Sequence, residues 1–183
     1  FFLAYFFFND AIITASNNFA IYLERVFGVS DTIKSLVLVG IIVVGAISAP
    51  ISGWISDRFG WKKTLVGLLI GFAVIFPALA IISNFYIFLA VVIVMGLWWG
   101  GIWSVTRAIV IDLTPEYDLN QSFTFYTLME SFSTLVGPLS WGIIVAFVSQ
   151  TNGLNYRIAI ASMTVFILIG LYIARKLPNK KMI

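Results

Sequence analysis

The longest uncharged stretch of this chain lies between residues 64 and 106, where no Asp, Glu, Lys or Arg occurs. A transmembrane helix needs about 20 mostly apolar residues, so this stretch is too long for one crossing and long enough for two. The polar pair Ser83-Asn84 interrupts it, which predicts a third span over 64–82 and a fourth over 85–111. The sequence therefore predicts an all-α, polytopic membrane protein.

The remaining apolar runs predict four further spans. Residues 1–23 hold one charge and residues 35–56 hold none, while the last two runs cover 121–149 and 158–177. The segments between the spans are short, so successive helices should run antiparallel beside each other. We therefore expect one membrane domain over residues 1–183 with six transmembrane helices.

The composition excludes several classes of protein. Of the 183 residues, 61% are hydrophobic and only 10% are charged, whereas about a quarter are charged in a soluble domain. The chain has no cysteine and no histidine, which removes thiol nucleophiles, imidazole bases and the usual zinc ligands. We therefore expect no enzyme, no cofactor and no metal. The net charge of +3 is small, so a nucleic-acid partner is not expected either.

The basic residues predict the orientation of the bundle, because short cytoplasmic loops carry an excess of Lys and Arg. One edge of the predicted bundle carries Arg58, Lys62, Lys63, Arg175, Lys176, Lys180 and Lys181. The opposite edge carries Arg25, Lys34 and Arg157. Both termini are therefore expected on the cytoplasmic side.

A stripe of polar residues runs along one face of the first predicted span. Asp10, Thr14, Asn17 and Asn18 are spaced to share one face of a helix, and Asn9 lies beside them. A carboxylate among hydroxyl and amide groups could bind a polar solute or carry a proton, or the stripe could only hold helices together. A carboxylate that faced lipid would cost at least about 2.5–3.5 kcal/mol. We therefore favour a cavity for solute or proton.

The fourth and fifth spans hold the other intramembrane charges, Arg107 and Glu130. Glu130 could carry a proton, contact the solute or pair with Arg107. Asp112 is a second acid that Arg107 could neutralise. Arg107 and Asp112 are both assigned to the cytoplasmic gate at the basic edge. An unpaired charge at depth is costly, so we expect Arg107 to have an acidic partner.

Aromatic and helix-breaking residues complete the candidate site. Trp99 and Trp103 could form an aromatic wall of the cavity or could simply pack in the core. Gly137-Pro138 predicts a kink in the fifth span, because proline removes a backbone hydrogen bond. Such a kink is either an ordinary feature of a membrane helix or a place where a carrier bends.

The turn between the second and third spans carries a charged, glycine-punctuated pattern: Gly53, Asp57, Arg58, Gly60 and Lys62. It resembles the loop that joins the second and third helices in each half of major facilitator superfamily transporters. The resemblance implies a cytoplasmic gate. In that gate the Asp57 carboxylate would be held by nearby cations or by the first amides of the fifth span.

Further motifs keep the order of a known branch of this superfamily. They are Asn9-Asp10 in the first span, Gly96-Leu-Trp-Trp-Gly100-Gly101 in the fourth, and Gly137-Pro138-Leu-Ser-Trp-Gly142 in the fifth. The whole chain is similar to the C-terminal half of the vacuolar amino-acid effluxer (autophagy-related) branch and its prokaryotic relatives. Two positions depart from that branch: Ala11 replaces a usual Gly, and Glu130 replaces a usual Lys.

The resemblance implies a fold of twelve helices in two halves, with the solute site between them. This chain would be one half of a secondary active transporter for a small polar solute, with neutral amino acids as candidates. Its partners would be membrane lipid, the solute, and either the other half or a second copy of this chain. The alternatives are a natural half-size carrier, or a scaffold or sensor that does not transport. A prokaryotic cell membrane is expected, or a vacuolar membrane in a eukaryote.

Overall fold

The computed structural model describes residues 1–177, and all regular elements in that part of the chain are helical, as predicted. Lys180 and Lys181, which contribute to the predicted orientation, lie outside the described residues. Two short 3₁₀ turns, Glu116–Asp118 and Thr151–Gly153, precede α6 and α8. The helices are α1 Phe2–Asn17, α2 Phe19–Phe27, α3 Asp31–Phe59, α4 Trp61–Ile81, α5 Phe85–Leu113, α6 Leu119–Phe132, α7 Val136–Phe147 and α8 Leu154–Arg175.

The first predicted span is two helices rather than one. It breaks at Asn18, where the side-chain amide donates to the carbonyl oxygen of Thr14 at 2.9 Å. An Asn side chain that bonds to nearby backbone competes with the helical ladder, which accounts for the break. Five other stretches in the described part are long and apolar enough to cross a membrane, and they correspond to the second to sixth predicted spans.

The fifth predicted span also breaks, between α6 and α7. The break lies at residues 133–135, a few residues before the predicted kink at Gly137 and Pro138. Proline cannot donate to the residue four positions earlier, and its ring clashes with that carbonyl group. Pro138 therefore sits in the first turn of α7, where a missing N–H costs little.

Glycines set the closest helix contact, between α3 and α5. A Cβ on Gly100 would overlap the carbonyl oxygen of Gly45, and a Cβ on Gly96 would lie 3.3 Å from the carbonyl oxygen of Ile41. Small residues at such crossings let two backbones approach, which is how transmembrane helices gain packing energy. On the other side of the bundle α4 packs on α5 and α8, and α8 also packs on α1 and α7.

The turn between α3 and α4 is much shorter than the predicted loop over 57–63. Helix α3 continues to Phe59, α4 begins at Trp61, and Gly60 alone joins them with a φ of +90°. A residue with a side chain rarely adopts this conformation, so the position favours glycine. The predicted connection was wrong in length because α3 remains helical through its charged residues.

Candidate functional site

The carboxylate of Asp10 lies where α1 meets the break in the fifth span. Its side chain is 0% exposed, and Oδ2 accepts a hydrogen bond of 2.7 Å from the amide of Gly137. The Thr14 hydroxyl donates to Oδ1 at 3.5 Å. The first amides of a helix have no partner within it, so the carboxylate satisfies one of them at the positive end of α7. Asp10 thereby ties α1 to α7.

A second polar contact holds the same break. The amide of Asn9 donates to the hydroxyl of Ser133 at 2.6 Å, and Ser133 donates to the carbonyl oxygen of Glu130 at 2.8 Å. Asn9 and Ser133 are buried. Irregular backbone at membrane depth is tolerated only where protein or a watery cavity satisfies it, and here protein side chains do so.

The structure divides the predicted polar stripe of the first span. Asn9, Asp10 and Thr14 are buried around the α6–α7 break, whereas Asn17 is exposed and Asn18 is half-buried. Ser133 was not predicted as a site residue. Its signal was a hydroxyl four residues before the Gly137-Pro138 pair.

Arg107 and Glu130 do not pair. Arg107 is exposed and Glu130 is half-buried. Within residues 1–177, the ion pairs join Lys34 to Glu24 and Asp31, at 2.5 and 2.6 Å. Pairing with Arg107 was one of the three alternatives for Glu130, and it is not made: the two side chains lie in neighbouring spans without coming within ion-pair distance.

Two tyrosines that were not predicted as site residues lie buried between α1 and α6. The rings of Tyr5 and Tyr126 stack with their centroids 4.5 Å apart. The hydroxyl groups of Tyr126 and Thr106 share a hydrogen bond of 3.2 Å, which ties α6 to α5. The spacing of Tyr126 four residues before Glu130 was the available signal.

A mostly apolar cavity of about 180 Å³ lies between α1, α2, α3, α4 and α5. Its wall includes Ser16, Phe19, Phe76, Met95 and Trp99. The Ser16 hydroxyl donates a hydrogen bond of 2.7 Å to the Ile12 carbonyl oxygen. The Trp99 indole N–H is buried without a hydrogen-bond partner among the described residues. Trp103 is half-buried and lies outside this cavity. The space can take an apolar group.

The glycine-punctuated turn links three helix ends. The Trp61 indole N–H donates to Asp112 Oδ2 at 2.8 Å, and the Lys62 ammonium donates to the carbonyl oxygen of Leu177. These contacts join the start of α4 to the end of α5 and to the residues after α8. Trp61 stands where a basic residue is common in the resembled motif, and the structure uses it as a donor to an acid.

The other charged residues of this turn point outwards. Asp57 is exposed and makes no hydrogen bond or ion pair with the described residues. The tie to the first amides of the fifth span is therefore absent within this half. Arg58 lies over the rings of Trp54 and Phe59, with its guanidinium carbon 5.4 and 5.6 Å from their centroids.

Replacing Trp61 with Phe should lower the free energy of unfolding by about 0.5–1.5 kcal/mol, the usual net value of one hydrogen bond. The ring would still fill its buried position, while Asp112 would lose the indole donor. Thermal unfolding followed by circular dichroism measures the change. Trp54→Phe, at an exposed position of the same turn, is the matched control. Equal losses in the two variants would contradict the assignment.

This arrangement is that of a polytopic helical membrane domain of the kind found in solute carriers. The family model of the Major Facilitator Superfamily matches residues 1–182, and the chain belongs to that superfamily. It is 30% identical to the uncharacterized MFS-type transporter YxiO of Bacillus subtilis (strain 168) over 98% of this chain and 41% of that protein. It is 25% identical to the putative multidrug resistance protein MdtD of Salmonella newport (strain SL254) over 80% of this chain and 32% of that protein.

Solved structures share the fold. The proton:xylose symporter XylE bound to 6-bromo-6-deoxy-D-glucose superposes with a TM-score of 0.80 at 16% identity, over 97% of this chain and 43% of that one. The inward-open XylE from E. coli superposes with a TM-score of 0.79 at 17% identity, over 47% of its chain. The chain thus spans less than half the length of these proteins, and its fold is that of one half of a major facilitator domain.

Proposed function

We propose that this chain supplies one six-helix half of a secondary active transporter that moves a small solute by alternating access. The observation that carries the proposal is the contact between Asp10 and the broken fifth span. A buried carboxylate that caps α7 joins two spans through one charge-assisted hydrogen bond. Protonation of Asp10 would remove the charge and weaken that bond. Proton occupancy would thereby act on the contact between α1 and α7.

The apolar cavity supports a solute that has both a polar and an apolar part. A cavity of 150 Å³ with apolar walls can hold benzene, and the cavity beside Trp99 is slightly larger, at about 180 Å³. The side chain of leucine or phenylalanine would fit this space. The polar part would then meet groups beside the cavity, such as the exposed Asn17, which follows the lining residue Ser16. Neutral amino acids with large apolar side chains are the first candidates.

The partner in this proposal is the other six-helix half, or a second copy of the chain. Asp57 supports a partner at the basic edge, because its exposed carboxylate has no contact within the described half. We place both termini in the cytoplasm of a prokaryotic cell, from the distribution of basic residues. The alternative is a scaffold or sensor that keeps the fold without moving solute.

Uptake into proteoliposomes that contain the full-length protein tests the transport proposal. We expect labelled leucine or phenylalanine to accumulate when a pH gradient is imposed, and xylose serves as the comparison solute. Leu38 lines the apolar cavity and Val39 is exposed beside it. Leu38→Trp should lower the apparent affinity roughly tenfold, since overfilling a packed site costs about 1–3 kcal/mol. Val39→Trp should have little effect.

Each other outcome argues against a named part of the proposal. Accumulation of xylose alone would exclude amino acids as the substrate, while the proposal that the protein is a carrier would stand. Folded protein that moves neither class of solute, with or without the gradient, would favour the scaffold or sensor. Equal losses in Leu38→Trp and Val39→Trp would remove the cavity from the solute site.

A further inference from the structure

A second, open groove runs between α3, α4 and α5, with a volume of about 680 Å³. On α3 its lining extends from Phe59 to Ser48, a distance of about 16 Å at a helical rise of about 1.5 Å per residue. Phe59 lies at the basic edge of the bundle, and Trp98 at the other end of the groove is near the middle of α5. Because the hydrocarbon core is about 30 Å thick, the groove spans one leaflet.

We propose that this groove binds one acyl chain of an anionic phospholipid, with the phosphate against Lys63. Apolar side chains, including Ile51, Ile55, Leu68 and Leu97, line the groove between its ends. Lys63 lines the edge end, is exposed, and forms no ion pair with the described residues. A slot that is apolar along one leaflet and cationic at the headgroup level matches the chemistry of a single anionic lipid.

The groove exists because glycine occupies its floor. A Cβ placed on Gly67 would meet nothing within 4 Å, so this lining position opens directly onto the empty space. One turn further along α4, a Cβ on Gly71 would overlap the indole of Trp98, which therefore packs closely against α4 at the deep end. The absence of a side chain at Gly67 thus leaves this part of the groove open, while Trp98 closes its deep end.

The charges around the mouth favour an anion. Ser48, Ser52, Ile55 and Phe59 share the face of α3 that lines the groove. Asp57 is two residues before Phe59, so at 3.6 residues per turn its carboxylate leaves the opposite side of the helix. The guanidinium of Arg58 lies over the Phe59 ring at 5.6 Å, which places a second cation beside the mouth. A phosphate there would meet two cations and no acid of this turn.

Lipid titration of the full-length protein tests the headgroup contact. Thermal unfolding is followed in detergent with added dioleoylphosphatidylglycerol or dioleoylphosphatidylcholine, and the apparent Kd is taken from the shift in Tm. We expect dioleoylphosphatidylglycerol to bind more tightly than dioleoylphosphatidylcholine. Lys63→Gln should weaken it about fivefold, because one basic residue near an anionic lipid contributes about 1 kcal/mol. Lys176→Gln is the control, since Lys176 lies at the same edge against the Tyr172 ring.

Filling the groove tests the acyl-chain contact. Gly67→Leu should abolish the difference between dioleoylphosphatidylglycerol and its dihexanoyl form, because the long chain loses its slot. Gly142→Leu is the matched control, since a Cβ at this helical position also meets nothing within 4 Å. Binding by Gly67→Leu that equals the wild type, or equal binding of phosphatidylcholine, would overturn the proposal. Equal binding of dihexanoyl- and dioleoylphosphatidylglycerol by the wild type would mean that only surface charge binds the lipid and that the groove holds no acyl chain.

Discussion

Replacing Gly100 with Val should lower the free energy of unfolding by about 1–3 kcal/mol or more, the usual cost of overpacking a core. A Cβ on Gly100 would overlap the carbonyl oxygen of Gly45 and crowd the Ser48 hydroxyl. A backbone atom cannot turn aside as a side chain can, so α3 and α5 would have to separate along their main contact. Unfolding by SDS in mixed micelles measures the loss.

Gly40→Val is the control for this substitution. Gly40 also lies within α3, and a Cβ there meets nothing within 4 Å. The same change in helix propensity therefore occurs without the clash. If both variants unfold at the same SDS fraction, the α3–α5 crossing does not depend on close backbone approach at Gly100.

The second large effect concerns Asp10. Asp10→Ala should lower the free energy of unfolding by about 1–3 kcal/mol, because the buried amide of Gly137 loses its acceptor. Asp10→Asn keeps an acceptor oxygen and should retain most of that stability. Both variants remove the titratable group, so under the proposed function solute uptake should no longer respond to an imposed pH gradient.

Two measurements separate these roles of Asp10. Unfolding by SDS measures the stability that the hydrogen bond from Gly137 to Asp10 contributes. Uptake with and without a pH gradient measures proton coupling. Asn17→Ala, at an exposed position on the same helix, should leave the free energy of unfolding nearly unchanged. Wild-type stability in Asp10→Ala would exclude the cap. Gradient-driven uptake at the wild-type level in Asp10→Asn would limit Asp10 to a structural contact.

The spans were predictable because hydrocarbon excludes charge. An uncharged run from 64 to 106 had to be two helices, and Ser83-Asn84 marked the junction that the structure places between α4 and α5. The break within the first span was not predicted, and the break within the fifth lies a few residues before the predicted kink. Each depends on a polar side chain that finds backbone or hydroxyl partners, and composition carries no record of such contacts.

The candidate site was predictable in its residue types and less so in its geometry. Asp10 was identified as a buried carboxylate, yet its partner is a backbone amide 127 positions away, at Gly137. A backbone amide carries no residue-type signal. A pairing of Arg107 with Glu130 was one of the alternatives that the sequence left open, because the two residues belong to neighbouring spans. The pairing also required their side chains to point towards each other, which spacing along the chain does not determine.

The single-residue turn at Gly60 has a mechanical consequence for the half-bundle. A joint of one residue leaves the adjoining ends of α3 and α4 no freedom to slide apart, and the glycine crossing fixes α3 against α5. We therefore expect these three helices to move together as a stiff frame. The first and fifth spans are each jointed within the membrane, at Asn18 and at residues 133–135. We therefore expect bending of this half to concentrate in those two jointed spans, while the frame keeps its shape.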